Sequence, residues 1–138
     1  MSHRVLICGS RNWVDEAPIR AFVESLPSDA IVVHGAARGA DRIAGQLATA
    51  RGLAVEAMPA AWDVHEPGWC RCREPRPKTC KAAGLRRNQA MLETGPRHAA
   101  AFLLPESRGT RDMLARLRRA RVAVYVCEAR ASDSRDKG

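Results

Sequence analysis

A short apolar run that ends in glycine constrains the fold of this chain more than any other stretch. Residues 5–8 read VLIC, and the chain continues with Gly9, Ser10 and Arg11. The run is too short for an independent helix, and an unbroken apolar run that stops at glycine is typical of a parallel strand buried on both faces. Ligands bind beyond the carboxyl ends of such strands. Gly9, Ser10 and Arg11 are therefore candidate binding residues, although a plain strand exit with a solvated arginine also explains the sequence.

The composition fits one domain with an aliphatic core. A chain of 138 residues is long enough for such a domain, and only 4% of its residues are aromatic. No apolar run reaches membrane-spanning length, and the start reads as a strand rather than a signal peptide, so we expect a cytoplasmic protein with no membrane partner. The net charge of +8 favours polyanions such as nucleotides and nucleic acids. An arginine-rich solvated surface is the plainer alternative.

Strands and helices are predicted to alternate along the chain. Strands are expected at residues 5–8, 30–34, 53–60, 99–105 and 122–126, and helices at residues 15–26, within 35–52, at 82–93 and from 111 to 120. Short β-α-β connections imply parallel strands with right-handed crossovers. We therefore predict an α/β fold with one domain over residues 1–127, a Rossmann-like doubly wound parallel sheet of about five strands in the order 3-2-1-4-5. Residues 128–138 are polar and charged and are predicted to be a disordered tail.

The turn after the second strand is rich in glycine. Gly35 and Gly39 flank Arg38, and Asp41 lies in the first turn of the following helix, where its charge suits the helix dipole. Such a turn can hold a phosphate at a helix N-terminus. Its spacing matches neither the dinucleotide fingerprint nor the Walker A loop. The alternative is a structural glycine turn in which Asp41 only caps the helix.

The turn after the fourth strand repeats this pattern. Ser107, Gly109 and Thr110 can supply backbone N–H groups and hydroxyls to a phosphate. In the helix predicted at residues 82–93, Arg87 and Asn88 lie close to the start. Their side chains suit an anion or a base. A solvated first turn is the alternative for that helix.

These turns are predicted to meet at one place. In the order 3-2-1-4-5, strands one and four are neighbours at the topological switch point, so the turns that follow them flank one crevice. We therefore predict one anion-binding cleft at the carboxyl ends of the central strands. Its predicted ligand-binding residues are Gly9, Ser10, Arg11, Gly35, Arg38, Gly39, Asp41, Arg87, Asn88, Ser107, Gly109 and Thr110.

Residues 62–81 break the alternating pattern and contain three prolines. This segment, which we predict to be an insertion, also carries His65, Cys70, Cys72 and Cys80. Four such ligands suit a tetrahedral zinc ion, and a bound metal would order a long polar loop. The spacing differs from a standard zinc finger, and an arginine-rich loop with free thiols is an equal alternative. Zinc is thus the one cofactor that the sequence predicts, in a structural role.

The motifs together resemble the SLOG superfamily, and its YspA-like branch in particular. They are CGSR, HGAARGAD, PAAW, AGLRRNQAM and PESRGT, spread over residues 4–126. The combination is specific, whereas each piece alone is not. The resemblance implies a Rossmann-like domain that binds a nucleotide or a nucleotide-derived ligand, commonly as a homo-oligomer. More distant relatives are the LOG phosphoribohydrolases, which cleave the N-glycosidic bond of a nucleoside monophosphate, DprA, which binds single-stranded DNA, and sensor domains for signalling nucleotides.

The chain departs from the LOG pattern P-G-G-x-G-T-x-x-E. Pro105, Gly109 and Thr110 match, but Glu-Ser replaces the two adjacent glycines and Met113 stands at the glutamate position. Asp112 comes one residue early, which turns its side chain about 100° away around the helix. Since an oxocarbenium-like centre needs a placed carboxylate, the hydrolase interpretation is weakened. The catalytic candidates are Asp41, Glu106 and Asp112.

We therefore predict a protein that binds a nucleotide or nucleotide-derived molecule, as a sensor or a sequestering module. Phosphate would contact the predicted arginines and the turn at residues 107–110, and Asn88 would contact a ribose or base. The first alternative is a hydrolase of a nucleotide N-glycosidic or nucleotide-sugar bond at the same cleft. The second is nucleic-acid binding by the arginine face of the last helix.

Overall fold

The computed structural model of the chain describes residues 3–129, in which five strands alternate with four helices. The strands are β1 (His3–Gly9), β2 (Ala30–His34), β3 (Ala54–Ala57), β4 (His98–Leu103) and β5 (Ala123–Glu128), and the helices are α1 (Glu16–Glu24), α2 (Ala40–Ala50), α3 (Ala83–Glu93) and α4 (Arg108–Arg119). All neighbouring strands are parallel, and their order is β3-β2-β1-β4-β5. The predicted α/β class and sheet order are confirmed. The predicted tail lies outside the described residues from position 130 onwards, and its first residue belongs to β5.

β1 and β4 form the buried centre of the sheet. Their register pairs Val5 with His98 and Gly9 with Phe102. Val5, Leu6 and Ile7 have no solvent exposure, because helices cover both faces of β1. This double coverage is the physical reason for the unbroken apolar run in the sequence.

The helices pack on opposite faces of the sheet. On one face, α1 and α2 bury Ile19 and Ala44 against β1 and β2, in a cluster that also contains Trp13. On the other face, α3 and α4 bury Met91 and Leu117. Each large side chain removed from water contributes about 1.5 to 3 kcal/mol to stability. Because the chain crosses from one face to the other, the switch point lies between β1 and β4.

β3 lies at an edge of the sheet and is shorter than its predicted span of residues 53–60. Its residues are half-buried or exposed, as the alternating sequence predicts. The N–H of Met58 still donates to the carbonyl of His34 at 2.8 Å. Pro59 follows and has no N–H for a further sheet hydrogen bond, so the strand ends there.

The segment 58–82 connects β3 to α3 without forming a helix or a strand. Cys80, Ala82 and Ala83 are buried in a small cluster of their own, with Trp69 packed against it. The predicted insertion is therefore a loop with a local core. Within residues 3–129, no helix has the length and apolar character needed to cross a bilayer.

Candidate functional site

Three strand-to-helix turns meet at the carboxyl edge of the sheet. The N–H of Ser10 donates to the carbonyl of Phe102 at 2.8 Å, which ties the turn after β1 to β4. The carbonyl of Ser10 accepts from the N–H of Ala40 at 3.1 Å, which ties the same turn to the start of α2. Ser10 is buried, and its hydroxyl accepts from the N–H of Asn12 at 3.1 Å. Ser10 thus joins the turns and has little surface to offer a ligand.

The close approach of these turns requires glycine at Gly39. Its φ is +80°, a conformation that side chains with a Cβ disfavour. A Cβ at this position would lie 2.5 Å from the backbone of Arg11. Gly9 is similarly enclosed, since its Cβ would lie 2.5 Å from that of Ala40. Both glycines predicted as ligand contacts therefore have a packing role.

Asp41 lies buried beneath the turn after β2, with 4% of its surface exposed. Its Oδ2 accepts from the N–H of Gly35 at 3.0 Å and from the N–H of Ala37 at 3.4 Å. Within residues 3–129, its Oδ1 has no hydrogen-bond partner. Burial raises the pKa of Asp41 to about 6, and the guanidinium of Arg87 and the N–H groups of Ala37, Gly35 and Gly9 limit that rise.

Arg87 reaches from α3 to the same turn. Its Nη1 donates to the carbonyl of Gly35, and to the carbonyl of Met58 at 3.3 Å. Burial lowers the pKa of Arg87, and the charge of Asp41 opposes that shift. A Cβ on Gly35 would lie 2.5 Å from Nη1, so this glycine makes room for the guanidinium. The floor of the predicted cleft thus places a half-buried cation close to a buried acid.

Asn88 links α3 to α4. Its Oδ1 accepts from Nε of Arg87 at 3.2 Å, while its Nδ2 donates to the carbonyl of Gly109 and to Oδ2 of Asp112, both at 3.1 Å. The amide is buried and uses both ends within the protein. In this arrangement Asn88 holds the first turn of α4 in place beside Arg87.

The first turn of α4 borders the cleft on the other side. The hydroxyl of Ser107 accepts from the N–H of Leu104 at 2.9 Å, which fixes the turn after β4. Ser107 makes no side-chain cap on the helix. Gly109 is exposed, and a Cβ there would meet nothing within 4 Å, whereas Thr110 is buried. Backbone N–H groups at such a helix start are available to an anion.

The rim of the cleft carries exposed side chains. Arg11 and Arg38 are both exposed, and Arg38 donates to Oδ1 of Asn12 at 3.5 Å. Nδ2 of Asn12 donates to Oε1 of Glu106 at 3.3 Å, so Asn12 bridges the turns after β1 and β4. Our sequence analysis did not select Asn12. The sequence feature that could have identified Asn12 is its position directly after the Gly-Ser-Arg turn.

The three catalytic candidates lie in different environments. Asp41 is buried in the floor and Glu106 is exposed at the rim. Asp112 accepts from Nε of Arg116 at 2.8 Å as well as from Asn88. A carboxylate held by two protein donors has a structural use already, whereas Glu106 faces solvent beside the cleft.

A separate open cavity of about 590 Å³ lies beside the turn after β2. It is lined by residues of β2, α2 and β3, including His34, Arg42 and Gln46. Nδ1 of His34 accepts from the N–H of Ala36 at 2.9 Å, and burial lowers the pKa of His34. This histidine therefore stabilises the turn as a neutral ring, which agrees with the structural role that strand-end histidines usually have.

The four predicted metal ligands lie together in the segment 58–82. One donor atom from each of His65, Cys70, Cys72 and Cys80 lies within 4.8 Å of all the others. Donor atoms around a tetrahedral zinc ion are about 3.3 to 3.8 Å apart, so small movements would close the cluster on an ion. The sequence prediction that these residues form one group is confirmed.

The surroundings of the cluster suit metal binding. Nε2 of His65 lies 2.9 Å from the carbonyl of Pro77, while Nδ1 lies 3.2 Å from Sγ of Cys70. Metal-bound histidines commonly donate their other ring N–H to a carbonyl in this way. Hydrogen bonds from the backbone N–H of Cys72 and from the side chain of His65 lower the pKa of Cys70 to about 7. Burial raises the pKa of Cys80. A partly ionised thiol beside an oriented imidazole is a suitable donor set.

Comparisons with known proteins agree with the fold. The sequence profile described as YspA, cpYpsA-related SLOG family matches residues 3–65. The gene 61 protein of Mycobacterium phage D29 is 35% identical over 125 residues, which cover 88% of this chain and 93% of that protein. The X-ray structure of DNA processing protein A (DprA) from Streptococcus pneumoniae matches with a TM-score of 0.57 and 16% identity.

The match to DprA covers 91% of this chain and 59% of that one, so this chain spans less than two thirds of its length. At this identity the likeness shows a shared fold. The profile match includes the turns after β1 and β2, and the relative from phage D29 extends the similarity over most of the chain. The chain therefore belongs to the YspA, cpYpsA-related SLOG family.

Proposed function

We propose that this protein binds a nucleotide or nucleotide-derived molecule through its phosphate groups, as a sensor or a sequestering module. The observation that supports this most strongly is the meeting of three turns and two helix N-termini at the edge between β1 and β4. Helix N-termini present unpaired N–H groups and a positive dipole end to anions. The net charge of +8 adds a long-range attraction for the same ligands.

The proposed phosphate contacts come from the rim and from the first turn of α4. Arg11 and Arg38 are exposed guanidinium groups, and the planar fork of arginine suits phosphate oxygens. The N–H groups of Gly109 and Thr110 complete the contact from the opposite side. Arg87 supplies positive charge from the floor, where it is already oriented by the carbonyls of its neighbours.

The base or ribose would lie beyond these groups. Asn88 is the amide predicted to contact it, but both ends of that amide are engaged in the structure. Its contribution under this proposal is to hold Gly109 and Arg87 at a fixed spacing. Asn12 has an exposed amide at the rim and is a further candidate for a sugar hydroxyl or a base.

A thermal-shift screen tests the proposal. Mononucleotides, dinucleotides, cyclic nucleotides and ADP-ribose are each added to the protein, and the products are analysed by chromatography. A ligand at about 100 times its dissociation constant stabilises the fold by about 2.7 kcal/mol, which gives a measurable shift. A shift with intact ligand supports a sensor or sequestering module, and no shift across the panel rejects nucleotide binding.

A pair of variants locates the site. Arg38→Gln removes a rim guanidinium and is expected to weaken the binding of ADP-ribose about tenfold, since a charge-assisted hydrogen bond contributes about 1.5 to 3 kcal/mol. Arg119→Gln removes the same charge at the far end of α4 and serves as the control. Equal losses in the two variants would show a general charge effect and reject the cleft.

Hydrolysis of a nucleotide N-glycosidic or nucleotide-sugar bond is the second candidate function. It is favoured by the exposure of Glu106 at the rim, where only the amide of Asn12 donates to it in the described structure. Consumption of the ligand in the screen, lost in Glu106→Gln, would establish this function. Turnover that survives changes of Glu106, Asp41 and Asp112 would remove these carboxylates from the reaction.

Nucleic-acid binding is the third candidate. Arg108, Arg111, Arg118 and Arg119 are exposed on α4, and this helix starts at the cleft. The solved structure of similar fold is named as a DNA processing protein. Binding by phosphate contacts predicts an affinity for single-stranded DNA that falls steeply with salt. An absent or salt-insensitive gel shift would reject it.

For the metal cluster we propose a structural zinc ion. Sulfur and imidazole donors in a closed group of four favour zinc over magnesium or calcium. Elemental analysis of protein purified without chelator is expected to give about one zinc per chain. A homo-oligomer, which the SLOG resemblance implies, is a separate part of the proposal and is tested by light scattering.

A further inference from the structure

The segment 58–82 packs directly on the first turn of α3. The N–H of Cys80 donates to the carbonyl of Trp62 at 2.6 Å, and the N–H of Ala83 donates to the carbonyl of Cys80 at 3.2 Å. The indole of Trp62 covers Gly84, where a Cβ would lie 3.1 Å from the ring. One of the four cluster residues is thus joined through the backbone to the start of α3.

Arg86 adds a second attachment. Its Nη2 donates to the carbonyl of Ala61 at 3.2 Å, and its Nη1 to the carbonyl of Val64 at 3.5 Å. These carbonyls belong to the part of the loop that leads to His65. The next residue in α3 is Arg87, which also donates to Met58 at the beginning of the loop. Both ends of the loop therefore contact the helix turn that carries Arg87 and Asn88.

A third attachment reaches α4. The guanidinium of Arg116 lies over the ring of Trp69, with 5.6 Å between its Cζ and the ring centroid. The same guanidinium donates to Asp112, which accepts from Asn88. Trp69 packs against the cluster that contains Cys80. The loop thus supports the hydrogen bonds of Asn88 from two directions.

Between these attachments the loop has no regular structure of its own. Within the described chain it contains neither helix nor strand, and most of its residues are exposed. Loops of this length without regular structure rarely keep one conformation unless a ligand or a metal orders them. The small core of the segment includes Cys80 and, packed against it, Cys70 and Cys72, so an ion held by these donors would hold several parts of the segment together.

We propose that zinc bound by His65, Cys70, Cys72 and Cys80 orders the start of α3 and thereby positions Arg87 and Asn88 in the ligand cleft. Metal occupancy then regulates ligand affinity without the metal touching the ligand. The effect on affinity rests on the nucleotide-binding function proposed above, whereas the ordering of α3 stands independently of it.

The test compares the full chain with zinc bound and with zinc withdrawn by a chelator. Hydrogen–deuterium exchange is measured on peptides from α3 and, as an internal control, from α1 on the other face of the sheet. Zinc withdrawal is expected to speed exchange at the start of α3 about tenfold and to leave α1 unchanged. Binding of ADP-ribose is expected to weaken about tenfold, as for a binding-competent state populated at about one tenth.

Unchanged exchange in α3 after zinc withdrawal, or protein that holds no zinc, would overturn the proposal. Equal ADP-ribose affinity with and without zinc would overturn its regulatory part. If the zinc-loaded protein does not bind ADP-ribose although α3 still depends on zinc, the nucleotide-binding function fails for this ligand and the ordering of α3 is supported.

Three variants, one of them a control, keep the test decisive if zinc withdrawal unfolds the chain. Trp62→Leu retains all four donors, so it is expected to bind zinc normally while α3 exchanges faster. Normal exchange in this variant, with zinc bound, would contradict the attachment through Trp62. Cys70→Ser removes one donor, and Cys127→Ser removes a thiol outside the cluster as its control. Only the first of these two cysteine changes is expected to abolish zinc binding.

Discussion

At the scale of single residues, Asp41 is a buried acid whose charged form is disfavoured by its surroundings. Burial raises its pKa to about 6, although Arg87 and three backbone N–H groups favour the carboxylate. One carboxylate oxygen has no hydrogen-bond partner among residues 3–129. Such an unpaired buried atom costs stability and is usually retained for a functional reason. The unpaired oxygen is consistent with the raised pKa of Asp41, because a protonated carboxyl group is less costly to bury than a carboxylate.

The raised pKa of Asp41 predicts a specific dependence of stability on pH. Because the folded-state pKa lies above the unfolded value of 3.8, the folded state binds the proton more tightly. The free energy of unfolding should therefore fall as pH rises from about 4 to about 7, by on the order of 2 to 3 kcal/mol for this group. Urea unfolding of the protein and of Asp41→Asn at several pH values measures it, and an identical pH dependence in both would contradict the prediction.

Gly39 and Gly52 form a matched pair for testing backbone constraint. Both have positive φ, at +80° and +88°, but only Gly39 is pressed against other backbone atoms. Gly39→Ala is expected to cost about 3 kcal/mol or more, and Gly52→Ala about 1 kcal/mol. Denaturant unfolding of both variants compares the costs. Similar values would show that the turns after β1 and β2 are not held as closely as described.

At the scale of secondary-structure elements, α3 connects the parts of the cleft. It carries Arg87 to the turn after β2 and Asn88 to the start of α4. The cap residue of α3, Ala82, has no side-chain group that could accept a hydrogen bond from the first turn of the helix. Tertiary contacts from the loop and from α4 replace the missing cap.

Asn88→Ala tests the connection between α3 and α4. The change leaves the carbonyl of Gly109 and the carboxylate of Asp112 short of a donor, so we expect a loss of about 1 to 3 kcal/mol in stability. Gln46→Ala removes an amide from an exposed position of α2 and should change stability by less than about 0.5 kcal/mol. Thermal or urea unfolding compares the two variants. A neutral Asn88→Ala would mean that this amide does not hold α4.

Much of the fold could be predicted from the sequence because its central strands are buried on both faces. The unbroken apolar run at residues 5–8 indicated a central strand, and the alternating pattern of the third strand indicated an edge strand. The cysteines and His65 were recognisable because their chemistry is distinctive at any spacing. The hydrogen bond between Asn88 and Gly109 could not be recognised from the sequence, since a contact between helices depends on their rotation and packing. For the same reason Asn12, an ordinary surface amide, was overlooked.

At the scale of the whole molecule, charge and shape act together. The chain has 23 lysine and arginine residues against 15 aspartate and glutamate residues, and many of the arginines belong to α4 and the loop 58–82. Both of these segments adjoin the cleft. An anionic ligand is therefore attracted to this side of the sheet before it makes any direct contact.

This attraction predicts that ligand affinity depends on salt. Raising the concentration of sodium chloride from 50 to 500 mM should weaken ADP-ribose binding by about three- to tenfold, because added ions screen exposed charges. Adenosine lacks phosphate, so any binding of adenosine should be nearly independent of salt. Titration calorimetry measures both ligands. A salt-independent affinity for ADP-ribose would show that phosphate is not the group that the protein recognises.

The edge position of β3 has a consequence for the segment that follows it. The segment 58–82 begins where an edge strand ends, so it interrupts no hydrogen bond between the central strands. A change in the length of this segment would therefore leave the hydrogen bonds between β1 and β4 in place. Under the proposed zinc binding, the dependence on metal would reside in a segment that joins the sheet only at its edge, apart from the two strands that frame the proposed ligand site.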